Sequence, residues 1–457
     1  MSKPISTCTP GLLFLTALFA VQIPISSPAR AATAEPRAAH PLAAEIDRRA
    51  AAVKAKMIEW RRHFHEYPEL SGREVETAKF VSERLREMGL EPRAIAGTGV
   101  TAVIEGTAGK LPGATIALRA DMDALPVAEQ VDLPFKSVAT GTYEGKSVPI
   151  MHACGHDTHT AMLLAAAEVL TGLRDRLPGK VVLLFQPAEE GVPVAEGIAG
   201  AERMVAEGAL DNPKVDAVFG IHAFAGLESG ILGYRHGSML AAGDRFEIDV
   251  VGKQAHGSKP WAGVDPIVAG SAIVIALQTL VSRESDLTHE PVVITVGQFD
   301  AGVRSNIIPD RARLVGTMRT FDEAMRADLE KRMRRMVENV AAGYGATAKV
   351  TFDPGYPVTA NDSAFVDELL PTLERVAPGR VREVPKITGS EDFSLFANKV
   401  PGVFLFLGVT PKADVATAAS NHSPLFYVDE TALATGVRAY AQVAAEYLFA
   451  HAKAKGH

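Results

Sequence analysis

Five short runs in this chain, at residues 100–104, 115–118, 181–185, 217–220 and 403–407, are apolar on both faces. A strand with one wet face alternates polar and apolar residues. Strands without alternation belong to a parallel or mixed sheet covered by helices on both sides. Helix-spaced stretches surround them at residues 46–67, 73–88, 158–170 and 202–207, the second closing at Gly89 as a helix C-cap does. The implied class is α/β.

One segment departs from this pattern. From residue 245 to 251 the chain alternates strictly, with Phe246, Ile248 and Val250 on one face and Glu247 and Asp249 on the other. A helix follows at 265–282 with Pro266 in its first turn, then strands at 292–299 and 311–319, a helix at 322–342 and a strand at 347–352. The order β-α-β-β-α-β is that of a ferredoxin-like unit. Because α/β material resumes afterwards, the expectation is an α+β lid at 241–354 inserted into a larger domain built from 41–240 and 355–457. A chain of 457 residues exceeds what one hydrophobic core serves.

The first 31 residues read as a secretory signal. Lys3 precedes an apolar run at 11–23, too short to span a bilayer comfortably, and Ala29-Arg30-Ala31 forms an A-x-A cleavage pattern. A membrane anchor is the competing reading; cleavage would leave a chain with no stable membrane insertion, exported to the periplasm or beyond. It would also leave Cys154 as the only cysteine, since the other is Cys8, so no intrachain disulfide could form. An apolar content of 47% with 22% charged residues excludes disorder, and a net charge of -7 gives no field for nucleic acid.

The chemistry lies where the buried runs end. Residues 115–118 lead into Asp121 and Asp123, 181–185 into Glu189 and Glu190, and 217–220 into His222. Open α/β sheets bind ligands at the carboxyl ends of their strands, so these side chains share one edge. Cys154-Gly155-His156-Asp157-Thr158-His159 stands before a helix, and Asn421-His422-Ser423-Pro424 follows the last buried run. Thiolate, imidazole and carboxylate together suit zinc, manganese, cobalt or nickel better than calcium or magnesium. The donors outnumber what one tetrahedral ion needs, which points to two ions sharing an activated water. Of the adjacent acids Glu189 and Glu190, one would bind metal and the other take a proton. His159 would either support the site from behind or simply pack; His40, His63, His65, His236 and His289 read as structural or surface residues.

Taken together, Cys154-Gly155-His156-Asp157-x-His159-Thr160, Glu189-Glu190, Gly220-Ile221-His222 and His422-Ser423-Pro424 resemble the M20 metallopeptidase family. The similarity is to its cysteine-bearing branch of hippurate hydrolases, auxin-conjugate hydrolases and N-acyl-L-amino acid amidohydrolases. It implies a mixed-sheet catalytic domain with an inserted ferredoxin-like lid and dimerisation domain. It also implies two divalent ions, Mn2+ or Zn2+ and otherwise Co2+ or Ni2+, held by Cys154, His156, Glu190, His222 and His422. Glu189 matches the general base, His256 a lid histidine that meets the substrate carbonyl, and Asn306 a lid position for the substrate carboxylate. Gly389, in Gly389-Ser390-Glu391-Asp392-Phe393, resembles a substrate-pocket loop. The implied reaction is hydrolysis of the amide bond of small N-acyl amino acids by a homodimer or higher oligomer joined through the lid. A metallo-dipeptidase or carboxypeptidase is the alternative, and a solute-binding protein that has kept the fold is a more distant one. Where the wider family has His-x-Asp, this chain has Asp121-Met122-Asp123, which leaves the roles of both aspartates open.

Overall fold

The computed structural model describes residues 39–108, 113–193 and 196–452. The signal segment expected at 1–31 lies outside them. An eight-stranded mixed sheet forms the centre, in the order Arg93–Ile95, Gly99–Glu105, Lys180–Gln186, Thr115–Asp121, Ala217–Glu228, Gly402–Thr410, Leu232–Tyr234, Val381–Glu383. The four middle strands run parallel. Asp121 stands opposite Gln186, and Arg119 opposite both Leu184 and Gly220, so these strands finish at one edge.

The lack of alternation has its physical counterpart here. Ile116, Leu118, Val181, Leu183 and Phe185 face one hydrophobic core, while Ala117, Val182, Leu184, Val218 and Phe404 face another. Side chains alternate across a strand with period two, so a core on each side demands an apolar residue at every position. Helices Ala43–Glu66, His156–Thr171 and Leu433–Ala450 pack against one another over the first face. Leu433–Ala450 has no clear polar face because it is buried almost all round, which is why spacing did not reveal it. Leu232–Tyr234 and the edge strand Val381–Glu383 are three residues each, too short to leave a pattern.

The Ala217–Glu228 strand runs past the expected end at residue 220, so His222 lies within it. Ala223 and Phe224 pair with Leu407 and Gly408 and carry the ladder onward.

Residues 242–353 form a second, antiparallel sheet in the order Val292–Ala301, Arg311–Thr320, Ala242–Val251, Thr347–Asp353. Helices Pro266–Glu284 and Glu323–Gly343 lie on it, each started by an aspartate cap, Asp265 and Asp322. Phe246, Ile248 and Val250 point into a core of their own with Ile273, Leu277 and Met333. This is the ferredoxin-like arrangement, inserted between strands of the large sheet.

Candidate metal centre

The helix that begins at His156 is entered through Gly155, whose φ of 96° lies in the left-handed region. A side chain there would be strained and would stand 3.1 Å from Ala223 Cβ, so glycine permits the sharp entry. The turn places the Cys154 thiol and the His156 ring in one space. Cys154 Sγ lies 3.4 Å from His222 Nε2 and 3.2 Å from His422 Nε2. His422 Nε2 is 3.0 Å from Glu190 Oε1. His156 Nε2 stands 3.8 Å from Glu189 Oε2 and 4.0 Å from Glu190 Oε1. Residues from four separate stretches of sequence thus converge, with Glu189 beside them.

The far nitrogens of two rings are already committed. His156 Nδ1 donates to Asp123 Oδ1 at 3.1 Å, and His222 Nδ1 donates to the Ala223 carbonyl at 2.8 Å. Each ring therefore presents Nε2 to the cluster, the orientation that metal-ligating histidines receive from such partners. The other oxygen of Asp123 accepts from Ser71 Oγ and from the Glu190 N–H, fixing the backbone of a candidate ligand. His159 has nothing left to offer a metal. Its Nδ1 donates to Asp121, and its Nε2 accepts the Ala223 N–H at 2.6 Å. It supports the site from behind, and the two aspartates orient histidines.

The donor set fits divalent cations. With bonds of about 2.3 Å to sulfur and about 2.0 Å to nitrogen, two ligands of one tetrahedral ion stand about 3.5 Å apart. The two Cys154–histidine separations are close to that. His156 Nε2 is buried and makes no hydrogen bond among the described residues, although carboxylate oxygens of Glu189 and Glu190 stand within 4.0 Å of it. Asp121, Asp123, Glu189, Glu391 and Asp392 are all buried, and Arg119 is the guanidinium that faces this side of the cluster. So much buried negative charge calls for cations.

Behind Glu189 lies a network that the sequence reading missed. Arg119, fully buried, binds Asp121, Glu391 and Asp392 and donates through Nε to Gln186 at 2.8 Å. Asp392 also accepts the Ala201 N–H, and at Gly200 a Cβ would meet Asp392 Oδ2 at 2.4 Å. Burial, helped by Glu391, raises Asp392 to about 8 despite Arg119. Glu189 is likewise held well above the usual carboxylate range, first by burial and then by Glu391 and Glu190. The signal for this network was two consecutive acids next to Phe393, a residue with no exposed surface.

The turn that carries both glutamates is strained and clamped. Ala188 has a φ of 50°, unusual for a residue with a side chain. Its N–H is held by Glu74 Oε1 at 2.8 Å, and the Tyr356 hydroxyl donates to the Glu189 carbonyl at 2.8 Å. Tyr356 follows the last lid strand, and its carbonyl accepts the N–H of Gly243 at the start of the lid. The junction between the two sheets therefore touches the turn of Glu189 and Glu190 directly.

His256 and Asn306 are brought to each other but not to this cluster. His256 pairs with Ile307 in a two-stranded ribbon, and the Asn306 carbonyl accepts the Gly257 N–H. Both side chains are exposed, and among the described residues neither makes a hydrogen bond or ion pair with the cluster. Gly389 is exposed too; its carbonyl accepts the Ala241 N–H, while its neighbours Glu391 and Asp392 turn inward to Arg119.

Residues 117–446 match the family model described as Peptidase family M20/M25/M40. Thermostable carboxypeptidase 1 of Saccharolobus solfataricus is 42% identical over 393 residues, 86% of this chain and 95% of that one. The N-acyl-L-amino acid amidohydrolase of Geobacillus stearothermophilus is 42% identical over 318 residues, 69% of this chain and 81% of its own length. Among solved structures, the Bacillus subtilis YXEP protein, a dinuclear metal binding peptidase from the M20 family, superposes with a TM-score of 0.72 at 35% identity. That match covers 87% of this chain and 99% of the other.

Proposed function

The chain belongs to peptidase family M20/M25/M40 and is a metal-dependent amidohydrolase; from that premise we propose that it cleaves N-acyl amino acids at their amide bond. The observation that carries the reading is the pairing of Glu189 and Glu190. Glu190 points at the Cys154–His422 donors, while the Glu189 carboxyl group, beside His156, makes no hydrogen bond among the described residues. Cys154, His156, Glu190, His222 and His422 would hold the two ions, with manganese or zinc preferred and cobalt or nickel next. When bound, such ions acidify a water and polarise the amide carbonyl. Glu189 takes that water's proton and delivers it to the leaving amine. Its raised affinity for protons, from burial and the acids around it, suits the acid half of that cycle. His256 donates to the developing oxyanion, and Asn306 receives the substrate carboxylate. Gly389 keeps its place in the pocket loop by analogy alone.

Since His256 and Asn306 do not reach the cluster of their own chain, we assign them to the site of a second copy. The outer face of helix Pro266–Glu284 exposes Val268 and Ile275, and the edge strand Val292–Ala301 exposes Val293 and Phe299 beside it. An apolar helix face next to an unpaired strand edge is a surface that association covers. Export to the periplasm or beyond stays our reading of the N-terminal segment.

The test is an assay of metal-stripped protein on N-acyl amino acid and dipeptide panels, with manganese, zinc or cobalt added back. Metal-dependent release of amino acid from the acyl panel is expected. A marked preference for dipeptides would favour the carboxypeptidase reading, which the Saccharolobus relative's name keeps in view. Glu189→Gln should retain its metal yet lose about 10^3-fold in kcat; near-normal turnover would remove the base assignment.

A further inference from the structure

The hairpin of strands Thr140–Tyr143 and Lys146–Pro149 turns tightly at Glu144 and Gly145, with φ values of 48° and 75°. Two successive left-handed residues make the hairpin turn whose twist matches its strands. The hairpin sits on a small core separate from the rest, formed by Leu70, Ala124 and Ile150 with Ala139 and Val148 packed against it. Gly141 allows the close approach, since a Cβ there would stand 2.8 Å from Ile150 Cδ1. Between the hairpin tip and the segment around Leu70 lies a cavity of about 360 Å³. Leu70, Ala124, Leu125 and Tyr143 supply its apolar wall, and Glu190 closes the end nearest the metal centre.

The geometry points to this cavity as the acyl pocket, the place where the substrate's uncharged acyl group lies while its amide sits at the metals. The inference rests on the N-acyl amino acid reading given above. Its charge argues which end of the substrate enters. Arg73 is paired with Glu196 at 2.8 Å, and Glu144 at the tip makes no ion pair among the described residues. The rim thus offers a carboxylate spare and no free cation, so a substrate carboxylate is repelled and an apolar group is admitted. Small-molecule pockets of about 300–1,000 Å³ are largely apolar with a few placed polar groups, and this one is of that kind. Because the tip is exposed and the hairpin has its own core, acyl selectivity can vary there without disturbing the large sheet.

Thr142→Trp, at an exposed position on the pocket wall, fills the cavity; Tyr143→Ala opens it. The readout is the ratio of kcat/KM for the N-octanoyl to the N-acetyl derivative of one amino acid. A pocket that holds the acyl group makes this ratio fall at least tenfold in Thr142→Trp, and makes Tyr143→Ala shift it by threefold or more. An unchanged ratio in both variants overturns the assignment. So does a shift that instead follows the amino acid, read as the ratio between N-acetyl-leucine and N-acetyl-glycine. Metal content and thermal unfolding of each variant show that the fold and the centre are intact. If the unmutated enzyme cleaves no acyl amino acid at all, the proposed function falls and this pocket with it. If it cleaves them and the ratios stay put, only the pocket falls.

Discussion

Burial raises the Cys154 thiol, and the neighbouring Glu190 raises it further. Hydrogen bonds to Cys154 and Glu190 lift His422 to about 10. At neutral pH both groups therefore carry a proton when no ion is bound, and each must lose it to become a ligand. Metal binding should release protons and weaken as pH falls. Titration calorimetry at pH 7 in two buffers of different ionisation enthalpy measures this directly. Net proton release is expected, reduced in Cys154→Ala; heats independent of buffer would contradict it. His222 adds nothing to the release, because burial and the nearby His159 keep it neutral. The donor side chains of Cys154, His156 and His422 were visible in the sequence, and their expected role as ligands came from the motifs shared with the M20 family. Whether His159 supports the site or simply packs was not legible, because only the fold shows its nitrogens held by Asp121 and by the Ala223 N–H.

Between elements, a buried ion cluster joins the first helix to the helix of the metal centre. Arg61 Nε lies 2.8 Å from Asp157 Oδ2, and His65 bridges Asp157 and Glu129 at 2.9 and 3.1 Å. Burial works against Asp157's charge, but Arg61 and His65 outweigh it and hold the carboxyl well below its usual range. Burial and Arg61 press His65 towards neutrality, and Asp157 and Glu129 outweigh them, raising it. The Asp157 contribution is complete above its unfolded value, about 3.9, and is lost as pH falls below that. The His65 contribution is complete below about 6.5 and is lost as pH rises through its raised folded value. Asp157→Asn leaves buried Arg61 with only the longer contact to Glu430, at 3.3 Å, as its ion pair, and should cost about 3 kcal/mol. Denaturant unfolding at a series of pH values should show the largest deficit between about pH 4 and 6.5. A uniform deficit at every pH would show that packing, and not charge, is at stake.

For the molecule as a whole, the assignment of His256 and Asn306 to a partner's site has a sharp consequence. His256→Ala and Glu189→Gln homodimers should each be nearly inactive. Mixed and allowed to exchange, half the dimers become mixed, and one of the two sites in each then has both residues. Activity should recover to about a quarter of the unmutated enzyme's. If His256 serves its own chain, no mixed dimer contains an intact site and nothing recovers. Tyr356 shows how closely the base of the lid abuts the turn of Glu189 and Glu190.

The doubly buried strands and the inserted β-α-β-β-α-β unit were written in local sequence, because each follows from residue type and short-range periodicity, and the candidate donors showed there as side chains at strand ends and in family motifs. The sheet order, the Arg119 network and the clamps on Ala188 were decided only by tertiary structure. Arg119 and Glu391 are far apart along the chain, and nothing local records that a buried guanidinium and a buried carboxylate will meet. The same holds for His222, whose strand runs on to Glu228 because Gly402–Thr410 lies beside it to pair. Local sequence encodes which side chains must leave water; which of them then face one another depends on how distant segments stack.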